Sequence, residues 1–589
     1  MVISFDSRAS VIQVLNFLSR PALRWLFSFV FFFTESHLLH AQADSAVFRS
    51  PLDIPLTLAG TFGEIRVSHF HSGIDIRTNG KEGLPVYAVA DGYVSRIKIS
   101  RTAYGKAIYI NHPNGYTTVY AHLQKFSSKI EKQIRTIQYQ KESFEVDEYF
   151  PAAAIPVRRG EVIALSGNSG KSFAPHLHFE VRDSETEHPL NPLAFLPKLA
   201  DNSPPLMKDL FIYKADECRG RMFPIKEKIV GKNGFFELKS DTVRLRFQKV
   251  GFGINAYDAN GLGAQNGIYE LTMRVDGKPM YHFVMNEISF DETRYVQAHM
   301  DYRLNERDNI KVHRLFRLPG NYFSHYDSRP DNGMVTLDTA VSSISITVSD
   351  YSGNVSSLNF FVMYDSLSSP PDFSAIVYDT LFDYREDNLF QRDEVKVFLP
   401  KNTCYDSIYF NYEKLSNADS VKIFSSVHQI HLEEEPAHLY FTVAIQPCGL
   451  PDKLKSKALI IRETEKPDEP EPKESSWDGA FLKARTRDFG KYYIVADTTP
   501  PKIEPLNIFD NKVVTAQSSI QIKVTDDISG IKSYRGTVDG KWILMEYDEK
   551  NDLLTYFFDW RTDAGEHVLA LHVSDAIGNQ SVLRIRFVR

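Results

Sequence analysis

The chain has 589 residues, of which 43% are hydrophobic and 24% charged. It is too long for one hydrophobic core, and a prior of about 150 residues per domain suggests three to four globular domains. A net charge of −7 excludes the basic footprint of a nucleic-acid-binding chain, and three cysteines (Cys218, Cys404, Cys448) are too few for a disulfide-built scaffold.

In chain order, the first predicted element is an export signal over residues 1–43. Arg20 and Arg24 precede the apolar run Trp25 to Phe33, and Ala41-Gln42-Ala43 follows as a small-x-small cleavage site. Cleavage after Ala43 would leave Asp44 first; the competing reading is an uncleaved anchor. The apolar run is well short of the ~20 residues that span a bilayer, so the mature chain is expected to carry no membrane span. No cysteine lies near the cleavage site to take a lipid. The expected location is the periplasm or cell envelope, or the cell surface.

The next unit is residues 51–200. Glycine turns punctuate short β-runs. Val86 to Ala90 and Lys106 to Asn111 read as strands, with Asp91-Gly92 and Asn114-Gly115 as hairpin turns. Residues 126–154 are the one long non-β stretch and read as a helix or a surface excursion. Three short strings carry the chemistry: His71-Ser-Gly-Ile-Asp75, Tyr120-Ala-His122-Leu, and Pro175-His176-Leu-His178-Phe-Glu180.

Glycines in and after the first string argue against a helix, and a strand also places i and i+4 on one face. His176 and His178 alternate on a strand, so they share a face about 7 Å apart while Leu177 points to the core. Each string alone is a weak signal. His69 forms the same His-x-His pair with His71, so spacing does not choose between them. The weight lies in the co-occurrence of all three. They supply three metal ligands and two spare imidazoles, the inventory of a zinc hydrolase with an open position for water. No cysteine has metal-site spacing, so His and Asp must hold the ion.

The matching text extends through Pro85 to Val94, Tyr104 to His112, Gly167-Asn-Ser-Gly170 and Pro175 to Val181. Together these strings resemble the lysostaphin-type family of zinc metalloendopeptidases, which cut peptide bonds in bacterial peptidoglycan. The resemblance covers roughly a quarter of the chain. It implies that His71, Asp75 and His178 ligate Zn2+. It also implies that His122 and His176 are the unligated pair that orients or deprotonates water and stabilises the oxyanion. His112 is assigned to structure, because it opens the Asn114-Gly115 hairpin. Gln124 to Pro156 is longer than the compact family pattern and is expected beside the substrate groove.

The implied function is an exported zinc metalloendopeptidase that cleaves peptide cross-links in cell-wall remodelling, with peptidoglycan peptide stems as partner. Two alternatives are a non-catalytic activator or scaffold for other wall hydrolases, and a peptidase acting on proteins. Relatives of the first kind lose ligands, and none is missing here.

Residues 205–366 and 500–589 show alternating β-patterns, such as Ser345 to Ser349 and Val568 to Val573, and share an order of turn signals. Val275-Asp-Gly-Lys278 and Asp350-Tyr-Ser-Gly-Asn354 match Val538-Asp-Gly-Lys541 and Asp575-Ala-Ile-Gly-Asn579. Both segments read as β-sandwiches of Ig-like design, the first with a longer insertion. The Asp-x-x-Gly-Asn motif reads as a tight turn, with calcium ligation as the competing reading. Residues 370–498 read as a further β-rich module, in which Lys466 to Glu474 is a polar loop. Cys404 and Cys448 either pair or stay free. The expected fold is mainly β: an N-terminal antiparallel β-sheet zinc peptidase domain, then two to three β-sandwich modules that position it or bind an envelope protein.

Overall fold

The computed structural model describes residues 47–214, 224–259, 265–327, 330–368, 377–416, 423–464 and 470–589. The export signal and Cys218 lie outside the described residues. The protein is mainly β throughout.

The N-terminal domain is built on a nine-stranded antiparallel sheet. Its strands are β1 (Leu58–Gly60), β2 (Ile74–Arg77), β4 (Gly92–Ile99), β5 (Lys106–Asn111), β6 (Tyr116–Ala121), β8 (Val146–Tyr149), β9 (Pro156–Val157), β11 (His176–Asp183) and β12 (Pro189–Leu190). The main order is β1-β2-β11-β6-β5-β4-β8, with β12 on β11 and β9 on β4. A three-stranded sheet, β3 (Pro85–Tyr87), β10 (Val162–Leu165) and β7 (Lys125–Phe126), completes the domain.

Alternation decides what each face holds. On β2, Ile74 and Ile76 are fully buried on either side of Asp75. On β11, Leu177, Phe179 and Val181 are fully buried and alternate with His176, His178 and Glu180. Each buried Leu, Ile or Phe contributes about 1.5–3 kcal/mol. A one-residue slip of β11 would turn that apolar row outward and the imidazoles inward, so burial of the row sets the register of the site.

The expected strand at Val86 to Ala90 is shorter, Pro85–Tyr87, and Asp91-Gly92 is not a hairpin. Strand β3 pairs with β10, not with β4. Gly92 is required for a different reason: a Cβ there would lie 2.4 Å from the Asn111 carbonyl oxygen across the sheet. Asn114-Gly115 does connect the paired strands β5 and β6, with Gly115 at φ 85°.

The long segment after His122 forms a helix, α1 (Ser128–Lys141), and the edge strand β8 on β4. Ile130, Ile134 and Gln138 recur every four residues along the buried side of α1. Gln124 and Phe144 line a cavity beside the loop 168–173. Strand β7 joins the three-stranded sheet on β10, whereas β8 lies at the opposite edge of the main sheet from β2, because it extends the pairing of β4.

Residues 206–364 form a twelve-stranded sheet system, interrupted by short helices at Val296–His299 and Tyr302–Asp308 that the β-pattern did not anticipate. Residues 380–496 form two five-stranded sheets and a two-stranded pair, around a core that includes Phe410, Phe441, Phe489 and Tyr492. Part of the predicted polar loop is ordered: Glu471–Lys473 is an edge strand on Ala458–Arg462. Cys404 is buried, Cys448 is exposed, and both are free thiols. Residues 502–588 form a four-stranded and a five-stranded sheet.

Residues 49–589 form one compact unit, and its last segment folds back onto its first. Tyr139 on α1 packs against Trp542 and Trp560, with ring centroids 5.1 and 4.6 Å away, and its hydroxyl donates to Asp559. Arg535 pairs with Glu142 at 2.6 Å and Lys106 with Glu546 at 2.7 Å. Lys550 donates to the carbonyls of Asn168 and Ser172.

A candidate metal centre

The register of three strands assembles the site. His178 on β11 lies opposite Asp75 on β2 and opposite Ala121, the last residue of β6. His122 follows at once, and its left-handed backbone (φ 57°) turns the chain out of the strand. His71 precedes β2 and is buried, whereas His69 is exposed. Their different environments separate the two histidines that spacing left equivalent.

Three donor atoms converge. His71 Nε2 lies 3.1 Å from both Asp75 Oδ1 and His178 Nδ1, and His178 Nδ1 lies 3.0 Å from Asp75 Oδ1. A tetrahedral ion with bonds of about 2.0–2.2 Å separates its donors by about 3.4 Å, so two imidazoles and one carboxylate at these distances fit zinc.

Each donor is held by a partner on its far side. The His71 Nδ1–H donates to the Thr61 carbonyl at 2.8 Å, which leaves the Nε2 lone pair facing the cluster. His178 has the opposite tautomer: its Nε2–H donates to Glu180 Oε1 at 2.8 Å, freeing Nδ1. Arg66 Nη2 donates to Asp75 Oδ2 at 2.9 Å and leaves Oδ1 for the cluster. Burial alone would raise the Asp75 carboxyl, but the surrounding side chains of His71, His176 and His178 outweigh it and hold the group well below the usual carboxylate range.

Glu180 was present in the motif text but had no assigned role. It is fully buried. Burial opposes its ionisation, but the Arg182 charge and the His178 hydrogen bond outweigh that and hold it below the ordinary glutamate range. The Tyr104 hydroxyl (2.5 Å) and Ser72 hydroxyl (2.6 Å) also donate to its Oε1, and the Tyr104 ring stacks on His178 with centroids 5.3 Å apart. The only sequence signal for Glu180 was its i+2 position on the same strand face as His178.

The other two histidines stand beside this cluster. The His122 Nδ1–H donates to the Ser169 carbonyl at 2.9 Å, and the His176 Nδ1–H donates to the Ala174 carbonyl at 2.8 Å. Both rings therefore carry a free Nε2 lone pair. Their centroids lie 4.9 Å apart, and His176 Nε2 is 3.4 Å from Asp75 Oδ1. Burial, with the charges of His178 and His176, pushes the His122 imidazole down to about 3, so it is neutral across the physiological range. His112 stands apart from this arrangement. It bridges the Asp91 carbonyl and the Thr118 hydroxyl, both at 2.8 Å.

An antiparallel sheet carrying a His-Asp-His cluster with two further imidazoles at its edge has the form of a metallopeptidase centre. Residues 69–139 match the family described as peptidase family M23. Residues 379–497 match a Zu5-like domain.

The DD-carboxypeptidase/endopeptidase Mpg of Neisseria meningitidis is 36% identical over 124 residues, 21% of this chain and 22% of that protein. The peptidoglycan DD-endopeptidase ShyC of Vibrio cholerae is 29% identical over 143 residues, 23% of this chain and 26% of that protein. The chain thus spans about a quarter or less of the length of these curated relatives. Among solved structures, the catalytic domain of lysostaphin from Staphylococcus simulans is 22% identical, with a TM-score of 0.18, covering 24% of this chain and 91% of that one. No helix among the described residues is long and apolar enough to cross a membrane.

Proposed function

We propose that the protein is a zinc-dependent endopeptidase that cleaves peptide cross-links of bacterial peptidoglycan, exported to the periplasm or cell envelope. The observation that carries this reading is the convergence of His71 Nε2, Asp75 Oδ1 and His178 Nδ1 beside two further imidazoles, those of His122 and His176. Relatives named as peptidoglycan DD-endopeptidases support the substrate class, and the signal-like pattern of residues 20–43 supports export.

His71, Asp75 and His178 would hold the ion. Bound there, zinc supplies a Lewis acid that polarises a peptide carbonyl and makes water acidic enough to ionise near neutral pH. The remaining work belongs to the chain. His122, kept neutral by burial, presents a free Nε2 that can take a proton from the attacking water. His176 Nε2, on the adjacent strand position, faces the same space. Once protonated, it can hydrogen-bond a developing oxyanion. The carbonyls of Ser169 and Ala174 hold both rings in the tautomer this requires.

The test is a digest of defined cross-linked muropeptide dimers by the full-length, zinc-loaded chain, read by mass analysis. Dimers should be converted to monomers, and His178→Ala should both release zinc and stop the conversion. Dimers left intact by the zinc-loaded protein would overturn the substrate, and cleavage by His178→Ala would overturn the mechanism.

A further inference from the structure

A second cluster of ligand-type side chains lies away from the histidines. Asp201, Asp258 and Asp350 each bring a carboxylate oxygen within 4.8 Å of the others. Asp201 belongs to the linker after the peptidase domain, Asp258 to the strand Lys249–Ala259, and Asp350 to the turn after the strand Ser342–Ser349. They line a cavity of about 460 Å3 that also includes Asn266 and, from the peptidase domain, Thr61.

The turn reading of Asp350-Tyr-Ser-Gly-Asn354 is correct as far as it goes. Asp350 Oδ1 accepts from the Asn354 backbone N–H at 3.0 Å and Oδ2 from its side-chain amide at 2.8 Å. Asn354 Nδ2 also reaches the Asp201 carbonyl at 3.3 Å, which ties the linker to this turn. The turn does not account for Asp258. That residue is 6% exposed, and its Oδ1 is buried with no hydrogen-bond partner. Asn266, its register partner on the neighbouring strand, is 2% exposed, and its Oδ1 is likewise unpartnered. Burial first, and then the like charges of Asp201 and Asp350, push the Asp258 carboxyl up to about 7, against one hydrogen bond from the Ala259 backbone. Buried acceptors with no donor, set among like charges, are a costly arrangement unless a cation satisfies them.

We propose that Asp201, Asp258 and Asp350 bind a calcium ion, with the Asn266 side-chain oxygen as a further ligand, and that the ion fastens the peptidase domain to the module that follows it. The donors are all oxygen, which selects a hard cation over zinc or copper. They come from separate segments and would supply up to four protein oxygens, which suits calcium better than magnesium, an ion that keeps several of its waters. The site does not depend on the peptidase reading.

The corresponding trio before the last module, Asp497, Asp526 and Asp575, is a different case. Asp526 Oδ1 accepts from the N–H groups of Ile528, Ser529 and Gly530, Asp497 Oδ2 from the Ser529 hydroxyl, and Asp575 Oδ1 from the N–H of Asn579. Among the described residues, no oxygen of this trio is buried without a partner as Asp258 Oδ1 is, so the assignment is not extended to it.

The test is calcium binding by the full-length chain at pH 8, measured by equilibrium dialysis and by thermal unfolding with calcium or with EGTA. Asp258→Asn should lose one equivalent of calcium, and Asp201→Ala should bind that equivalent at least tenfold more weakly. Calcium should raise the melting temperature of the parent but not that of Asp258→Asn. In EGTA, Asp258→Asn should be at least as stable as the parent, because it removes an unpaired buried charge; that outcome also shows that the variant folds. Zinc content should be unchanged in both variants, which separates this result from the peptidase reading. A parent that binds no calcium, or an Asp258→Asn variant that binds as much as the parent, would overturn the proposal.

Discussion

The five residues of the peptidase centre divide into two regions that are anchored differently. The metal-facing atoms of His71, Asp75 and His178 are oriented by Thr61, Arg66 and Glu180, all within the N-terminal domain. The imidazoles of His122 and His176 are oriented by carbonyls of Ser169 and Ala174, in the loop before β11. That loop is held in turn by Lys550, 382 residues beyond Asn168 in sequence. The difference teaches that the two sets rest on different supports. The orienting partners of the first all come from the N-terminal domain, whereas the loop behind the second is shared with the far end of the chain.

Four substitutions test that division, and their effects should fall in order. His178→Ala should empty the site and lower kcat/KM on the order of 10^3-fold or more, with zinc content and muropeptide turnover measured on the same samples. His122→Ala should keep its zinc yet lower kcat roughly 10^2- to 10^4-fold; loss of zinc from this variant would merge the two regions. Glu180→Gln should weaken zinc binding about 10- to 100-fold in a competition titration with a chelator, because the carboxylate that orients His178 becomes an amide. Lys550→Ala should leave zinc affinity unchanged and lower kcat/KM roughly fivefold, the equivalent of about 1 kcal/mol for loop-ordering hydrogen bonds. If Lys550→Ala instead released zinc, the far end of the chain would be supporting the metal and not the loop.

Much of the first region was legible in the sequence. The strings around His71, Asp75, His122, His176 and His178 specify short strands through their glycines and alternation, and period-2 alternation alone puts His178 and Glu180 on one face. What alternation does not give is which β-run pairs with which. Val86 joined a second sheet because its register partner, Ala164, lies 78 residues away, and no local turn signal reports such a pairing. Asp91-Gly92 misled for the same reason, since its glycine answers a close approach to Asn111 and not a hairpin. Lys550 was illegible. A lysine in a polar turn gains its role only when a whole module docks, and Tyr139, which packs against that module, sits in the stretch read as a helix or a surface excursion with no contact assigned to it. The echo of Asp350 and Asp575 was visible as a repeat, but only the surroundings of Asp258 and Asn266, whose Oδ1 atoms are buried without a donor, set the first cluster apart from the second.

The return of the last module onto the first gives the molecule a chronology. At roughly 5–20 residues per second, a growing chain completes β11 tens of seconds before Lys550 is made. For that interval the strands that gather His71, Asp75 and His178 exist without the lysine that steadies the Asn168–Ser172 loop. A chain cut short before residue 550 would carry the histidine cluster without the distal brace on the loop that orients His122 and His176. In this architecture the last support of the histidine loop arrives when the C-terminal module closes against α1.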